Sequence, residues 1–348
     1  MRFKGEFALC RRVRAWALLL VALLLAGCNL PGPAPAASST PPVTSTPSPT
    51  PPGAFDGQRA YEDAAAQVLG PNGSVRYRVP GTPGNDEAAR IIADDLAALG
   101  WNVTWDRWNA TYRCEPIEMH NVVAERAGTS GKVVILGAHY DTRPIAESDP
   151  DPANRTRPIP GANDGASGVA VLLELARSLP PTPDTVRLVF FDAEDGGDMG
   201  DGCTDWLLGS RHYAENMTLA DRNRTKAMVL VDLVGDPHLR LPRELSTYVT
   251  AGRPVQDRIY SIAAGLGYAQ FTNESRPGQT FSIEDDHQPF YQEQVPAVDL
   301  IHLVAEKTAF PEWHHTQHDD LSHVSAASLE AVGRVLDRWL VEGAQAGP

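Results

Sequence analysis

Apolar residues recur at helical spacing over 56–69 and again over 85–99. Gly100 then stands where a helix end needs a residue tolerant of a left-handed backbone. Short runs rich in β-branched and apolar residues follow at 121–124, 132–137, 186–191 and 228–233. The second and third are nearly unbroken by polar residues, the pattern of central strands covered on both faces. Between them, Val169, Leu172, Leu173 and Leu175 give 165–179 a helical period. A helix over 256–266, an apolar strand over 297–303 and a last helix over 326–340 complete the series. Strands alternating with helices predict an α/β fold: a three-layer α/β/α arrangement around a central mixed, mostly parallel, twisted sheet.

The first 53 residues do not share this pattern. Arg11, Arg12 and Arg14 precede an apolar run over 15–25 that is short for a bilayer span and has the flanks of a signal peptide. It ends in Leu25-Ala26-Gly27-Cys28, which resembles the bacterial lipoprotein box. That resemblance implies cleavage before Cys28, a lipid on its thiol, and export. The alternative is an ordinary signal peptide with a chance cysteine. Residues 29–53 are Pro, Ser, Thr and Ala with almost no charge, a linker that cannot bury enough surface to order itself. The expected organisation is therefore a signal segment over 1–28, a disordered linker over 29–53 and one catalytic domain over 54–348. The lipid on Cys28 would be the only membrane contact. It would hold the domain on the outer face of the bacterial cytoplasmic membrane or elsewhere in the cell envelope.

A formal charge of −14 argues against a nucleic-acid partner. With Cys10 in the signal and Cys28 in the box, Cys114 and Cys203 remain. An exported chain can join them in one disulfide, and two buried free thiols are the other reading. Trp101, Trp105 and Trp108 read as core and strand packing rather than as a peptide platform. His318 and His323 read as surface residues ahead of the last helix.

In a parallel sheet the functional site lies beyond the carboxyl ends of the strands. Here those ends carry acid and imidazole repeatedly. The strand over 132–137 runs into His139-Tyr140-Asp141, and the strand over 186–191 into Asp192-Ala193-Glu194-Asp195. Asp232 lies at the end of the next strand. Asn163-Asp164-Gly165 opens a helix, Asp285-Asp286-His287 precedes the last strand, and Trp313-His314-His315-Thr316 follows it. A carboxylate before a helix can be simply an N-cap, and Asp164 suits that role as well. So many carboxylates in one cleft would repel one another unless a cation sits among them. Mixed carboxylate and imidazole donors suit zinc.

These motifs, together with Asn163-Asp164-Gly165-Ala166-Ser167-Gly168, Phe190-Phe191 before Asp192 and Gly209-Ser210-Arg211, resemble the superfamily of exopeptidase-fold zinc enzymes. That superfamily contains bacterial zinc aminopeptidases and the animal-type glutaminyl cyclases. The resemblance implies a zinc exopeptidase-like fold, a monomer, and peptide or protein N-termini as substrate. It implies Asp164, Asp195 and His315 as zinc ligands and Glu194 as general base and acid. His139 and Asp232 are the candidates for a second zinc, which the aminopeptidases bind and the cyclases do not.

The cyclase branch is favoured by 283–290, by Leu230-Val231-Asp232-Leu233-Val234-Gly235 and by Phe310-Pro311-Glu312. In the cyclases, the acid at the Asp285 position hydrogen-bonds the one at the Asp232 position. The implied activity is zinc-dependent conversion of an N-terminal glutamine to pyroglutamate with loss of ammonia, Asp232 and Asp285 orienting the reacting nitrogens. The alternative is an aminopeptidase, and a third reading is a catalytically inactive binding lipoprotein. The chain departs from the cyclases in three places. His314 stands where they have Trp, which leaves His314 as a rival ligand to His315. Asp299 stands where animal cyclases have a pocket His. The loop over 196–206 is rich in Gly and Asp.

Overall fold

The computed structural model describes residues 54–198, 200, 202–272, 282–304 and 310–347. The expected signal segment, Cys28 and the linker lie outside them. In chain order the elements are α1 (Gly57–Val68), α2 (Pro83–Ala98), β1 (Asn102–Tyr112), β2 (Glu115–Arg126), β3 (Val133–His139), α3 (Ala166–Ser178), β4 (Thr185–Phe191), α4 (Leu208–Asn216), α5 (Leu219–Arg224), β5 (Thr225–Asp232), α6 (Leu245–Val249), α7 (Arg253–Leu266), α8 (Gln288–Gln292), β6 (Ala297–Ile301) and α9 (Ala326–Val341).

The six strands form one sheet in the order β1-β2-β4-β3-β5-β6. The β1–β2 hairpin is antiparallel, and β2 runs antiparallel to β4. The pairs β3–β4, β3–β5 and β5–β6 are parallel. This is the mixed, mostly parallel sheet expected.

Strand alternation divides the core between the two faces. Val134, Leu136 and Ala138 of β3 join the larger core with side chains of α1, α2, α3, α7 and α9. Val133 and Ile135 point the other way, into a smaller core with Ala214 of α4 and Phe290 of α8. Every residue of β3 and β4 is buried, which accounts for their unbroken apolar runs. β1 shows an alternating half-exposed pattern instead, and β2 is fully buried only over 119–124.

Helix α3 lies tight on the sheet. A Cβ on Gly168 would fall 2.1 Å from the carbonyl oxygen of Val231, so only glycine permits this approach. Trp101 is buried in the larger core and its indole N–H donates to the carbonyl of Ala176 at 3.1 Å. Trp105 packs partly buried against that core, and Trp108 stacks on His212. His318 is exposed and His323 is half-buried beside Trp313.

Of the two readings for the cysteines, the disulfide is realised. Cys114 in the β1–β2 turn is bonded to Cys203 in the loop after β4.

Candidate active site and metal centre

The parallel strands end level with one another: His139 pairs with Phe191, and Asp232 with Ile301. The segments that follow therefore converge. A cleft of about 320 Å³ is lined by Asp164, Glu194, Asp195, Asp232, Asp285 and His315, with Trp206, Phe310 and His314 among its walls. All six residues that the sequence assigned to catalysis and the first metal share this cleft. His139 lies beneath its floor, 1% exposed.

Backbone turns aim these groups. Ala193 (φ 53°) and Leu233 (φ 52°), just past the ends of β4 and β5, and His315 (φ 56°), in the loop between β6 and α9, all take the left-handed conformation. That conformation costs a non-glycine residue about 1 kcal/mol or more, and such strain gathers where side chains are held for function. The turn at Ala193 is held by Asp141, whose carboxylate accepts the N–H groups of Glu194 at 3.0 Å and Asp195 at 3.2 Å. The neighbouring acids are thereby held at different depths. The Asp195 side chain is 2% exposed, and that of Glu194 is 12% exposed.

Asp164 does not cap α3, which has no side-chain cap. Its own N–H and that of Asn163 donate instead to the carboxylate of Asp319, at 3.1 and 2.8 Å. This leaves the Asp164 side chain free to face the cleft.

His315 Nε2 lies 3.3 Å from Asp195 Oδ1 and 3.8 Å from Asp164 Oδ2. Its other ring nitrogen, Nδ1, is 2.8 Å from Glu147. Arg143 donates to both Asp195 (3.2 Å) and Glu147 (2.7 Å), and its guanidinium lies 4.7 Å over the ring of Trp206. Trp206 is in turn stacked near His315 at 6.5 Å. His314 Nε2 is 3.7 Å from Asp164 Oδ2, so it is within reach as well. Of these two neighbours, His315 has a carboxylate on its far nitrogen, the partner that orients a metal-ligating imidazole.

The donor set fits zinc. Asp164 Oδ2 and Asp195 Oδ2 are buried without a hydrogen-bond partner, an arrangement that costs free energy unless a cation satisfies them. Burial alone would lower the pKa of His315, but Asp195 and Glu147 outweigh it and raise it to about 10. Burial, then the charge on His315, pushes His314 down to about 3, so that ring is neutral.

Burial raises the Glu194 carboxyl; His139 opposes it, and Asp195, Asp286 and Asp285 add to it. Burial and then Asp232 and Asp286 raise Asp285 in the same direction, consistent with a proton held among these acids.

A second donor group lies deeper. His139 Nε2 is 3.1 Å from Asp164 Oδ1 and 3.3 Å from Asp232 Oδ1, and one atom from each residue lies within 4.8 Å of the other two.

Sequence reasoning missed Asp141 as an anchor, the Arg143–Glu147 pair, Asp319 and Trp206. Asp141 carried a signal, two residues past a strand end inside a named motif. The others act through contacts that spacing does not reveal.

Known proteins bear on this geometry. The model of peptidase family M28 matches residues 121–340. The chain is 29% identical over 291 residues to a glutaminyl-peptide cyclotransferase-like protein of Bos taurus, covering 76% of this chain and 72% of that one. It resembles the crystal structure of Porphyromonas gingivalis glutaminyl cyclase with a TM-score of 0.75 and 29% identity, over 83% of this chain and 99% of that one. A Zn-dependent exopeptidase from Parabacteroides distasonis is equally similar, with a TM-score of 0.75 and 29% identity over 83% of this chain and 98% of that one. The buried zinc-type donors at the carboxyl edge of a mixed sheet thus sit on a fold that these zinc-exopeptidase-like proteins share, and the chain belongs to peptidase family M28.

Proposed function

We propose that this protein is a glutaminyl-peptide cyclotransferase, converting an N-terminal glutamine of peptides or proteins to pyroglutamate with release of ammonia. One observation carries the reading: Glu194 faces a cleft whose wall also presents Asp232 and Asp285, beside the donors Asp164, Asp195 and His315. Likeness to a cyclotransferase-like protein over most of both chains and to a solved glutaminyl cyclase supports it.

Asp164, Asp195 and His315 would hold one zinc ion. Zinc, when bound, supplies Lewis-acid polarisation of the glutamine side-chain carbonyl. Glu194, its proton affinity raised by burial, takes a proton from the α-amine as the amine nitrogen bonds to the amide carbon. It returns that proton to the amide nitrogen as the carbon–nitrogen bond breaks and ammonia leaves. Asp232 and Asp285 orient the two nitrogens through their carboxyl groups. Trp206 and Phe310 wall the cleft and keep bulk water from competing with the internal amine.

The test is a paired assay on the soluble domain with zinc. A Gln-initiated dipeptide amide is followed by ammonia release, and Leu-p-nitroanilide by free arylamine. Ammonia without arylamine, lost by about 10²–10⁴-fold in Glu194→Gln at unchanged zinc content, supports the cyclase. Arylamine without ammonia overturns it. That second outcome has its own structural support, since His139, Asp164 and Asp232 offer donors for a second metal, as an aminopeptidase would use. Glu194 would then deprotonate a water rather than an amine.

For the chain ahead of the described residues, we propose export and a lipid anchor on Cys28, with 29–53 as spacer. The lipobox-like Leu25-Ala26-Gly27-Cys28 supports this. Full-length protein is expected to enter the detergent phase on Triton X-114 partitioning, and Cys28→Ala to stay in the aqueous phase. Equal partitioning of the two would remove the anchor.

A further inference from the structure

At the back of the cleft, a third group of donors shares only Asp285 with the chemistry above. Asp285, His287 and Asp299 each offer one atom within 4.8 Å of the others, and all three residues are buried. His287 and Asp299 are 0% exposed.

The hydrogen-bond network sets the tautomer of His287. Glu244 caps α6, accepting the N–H groups of Ser246 and Thr247, and it also accepts the Ser246 hydroxyl at 2.8 Å. The single hydroxyl proton of Ser246 is therefore spent on Glu244. Its oxygen, 2.6 Å from His287 Nε2, must accept from that nitrogen. Nε2 thus carries the ring proton, and in the neutral ring Nδ1 is left with a lone pair.

That lone pair looks toward carboxylate. Nδ1 is 3.7 Å from Asp299 Oδ2, too far for a hydrogen bond. Nδ1, Asp285 Oδ2 and both oxygens of Asp299 are buried without a hydrogen-bond partner. A lone pair and two carboxylates facing one another in a closed interior repel, and the cost is relieved when a cation lies between them. An imidazole whose far N–H is anchored through a serine to a carboxylate is the supporting arrangement of a metal-ligating histidine.

We infer that His287, Asp285 and Asp299 form a buried divalent-cation site, separate from Asp164–Asp195–His315, that takes an ion of the zinc or manganese class through one nitrogen and two carboxylate donors. The ion holds Asp285 ionised and fixed in orientation at the back of the cleft. It also ties the 283–287 segment to β6 and, through Ser246, to α6. Asp299 is one of the positions at which the chain departs from the animal cyclases, so the site belongs to this chain's own residues. The inference does not depend on which reaction the cleft performs.

The test begins with metal content. Protein carrying the whole domain is stripped with chelator, reloaded separately with Zn²⁺ or Mn²⁺, freed of excess ion, and its bound metal counted by mass spectrometry. His287→Gln is expected to hold one equivalent fewer than the wild type. His315→Ala is expected to keep the ion at His287. Anomalous diffraction from wild-type crystals, above and below the metal edge, is expected to place a peak beside His287 Nδ1. Should neither ion give that peak, the proposal is overturned whether or not His287→Gln folds, and protons shared among the carboxyls must then satisfy the site. Equal metal content in wild type and His287→Gln overturns it too. A peak at His139 alone counts against it and for the aminopeptidase reading of the main cleft.

Discussion

His315 is held from behind before it is used in front. Glu147 accepts at Nδ1, and Arg143 binds both Glu147 and Asp195, so three side chains fix one imidazole. Replacing Glu147 by Gln leaves the proposed zinc donors in place but removes the carboxylate that orients His315. Zinc affinity is expected to fall about 10–100-fold, measured by competition with a fluorescent chelator, while the circular dichroism of the folded domain stays unchanged. At this scale the acids and imidazoles themselves were legible, because Glu194, Asp195 and Asp232 stand at the ends of strands, and Asp164 at the start of a helix, that could be read from apolar runs. What held them was not. Glu147 and His315 are 168 residues apart in the chain, and Asp319 reaches Asn163 across 156. No local periodicity reports such contacts. The substitution of His314 for Trp was visible, but only geometry put a carboxylate behind His315.

Among the elements, the strands covered on both faces declared themselves and the hairpin did so only in part. The unbroken apolar runs of β3 and β4 follow from complete burial. β1 interleaves Trp and Val with Thr, Asp, Arg and Asn because only half of it packs, and the first half of β2 does likewise. Short helices such as α5 and α8, of 6 and 5 residues, are too brief to show a period.

The junction of α2, β2 and β4 also sets a pH response. Asp192, 0% exposed just after β4, accepts the side-chain amide of Asn85 at 2.9 Å and the N–H of His120 at 3.2 Å. Burial, then the charge of Asp141, pushes its carboxyl up to about 7 against those hydrogen bonds. The folded chain therefore keeps a proton that the unfolded chain releases near pH 4. Wherever the native state binds more protons, stability falls as pH rises. The loss runs from about pH 4 to about pH 7 and levels off above. Asp192→Asn removes this titration. Its melting temperature is expected to vary less than that of the wild type between pH 5 and 7, and parallel curves would exclude Asp192 as the source.

For the whole molecule, alternation of strands and helices gave the layered fold, and the strand-end acids gave the cleft. The cysteine pairing stayed open until the β1–β2 turn was seen against the loop after β4. Cys114 and Cys203 are 89 residues apart. Closing a loop of that length stabilises a fold by about 2–5 kcal/mol. The same loop carries Trp206, which lies flat on Gly197 and beside His315. Cys203→Ser, or reduction of the wild type, is expected to lower the melting temperature and to raise KM more than it lowers kcat, since the wall is loosened and the metal donors are not. An unchanged KM would separate the bond from the cleft.

The covalent ring closed by that bond contains His139, Asp164, Glu194 and Asp195, whereas Asp232, Asp285 and His315 lie on the tail that leaves it. A protease that cuts once anywhere between residues 115 and 202 opens the ring but severs nothing. The nicked chain still migrates as one species until a reductant is added, and only then do two fragments part. Damage to the cleft loops inside the ring is therefore survivable in an oxidising medium in a way that it would not be in a reducing one, whereas a cut in the tail gains no such protection.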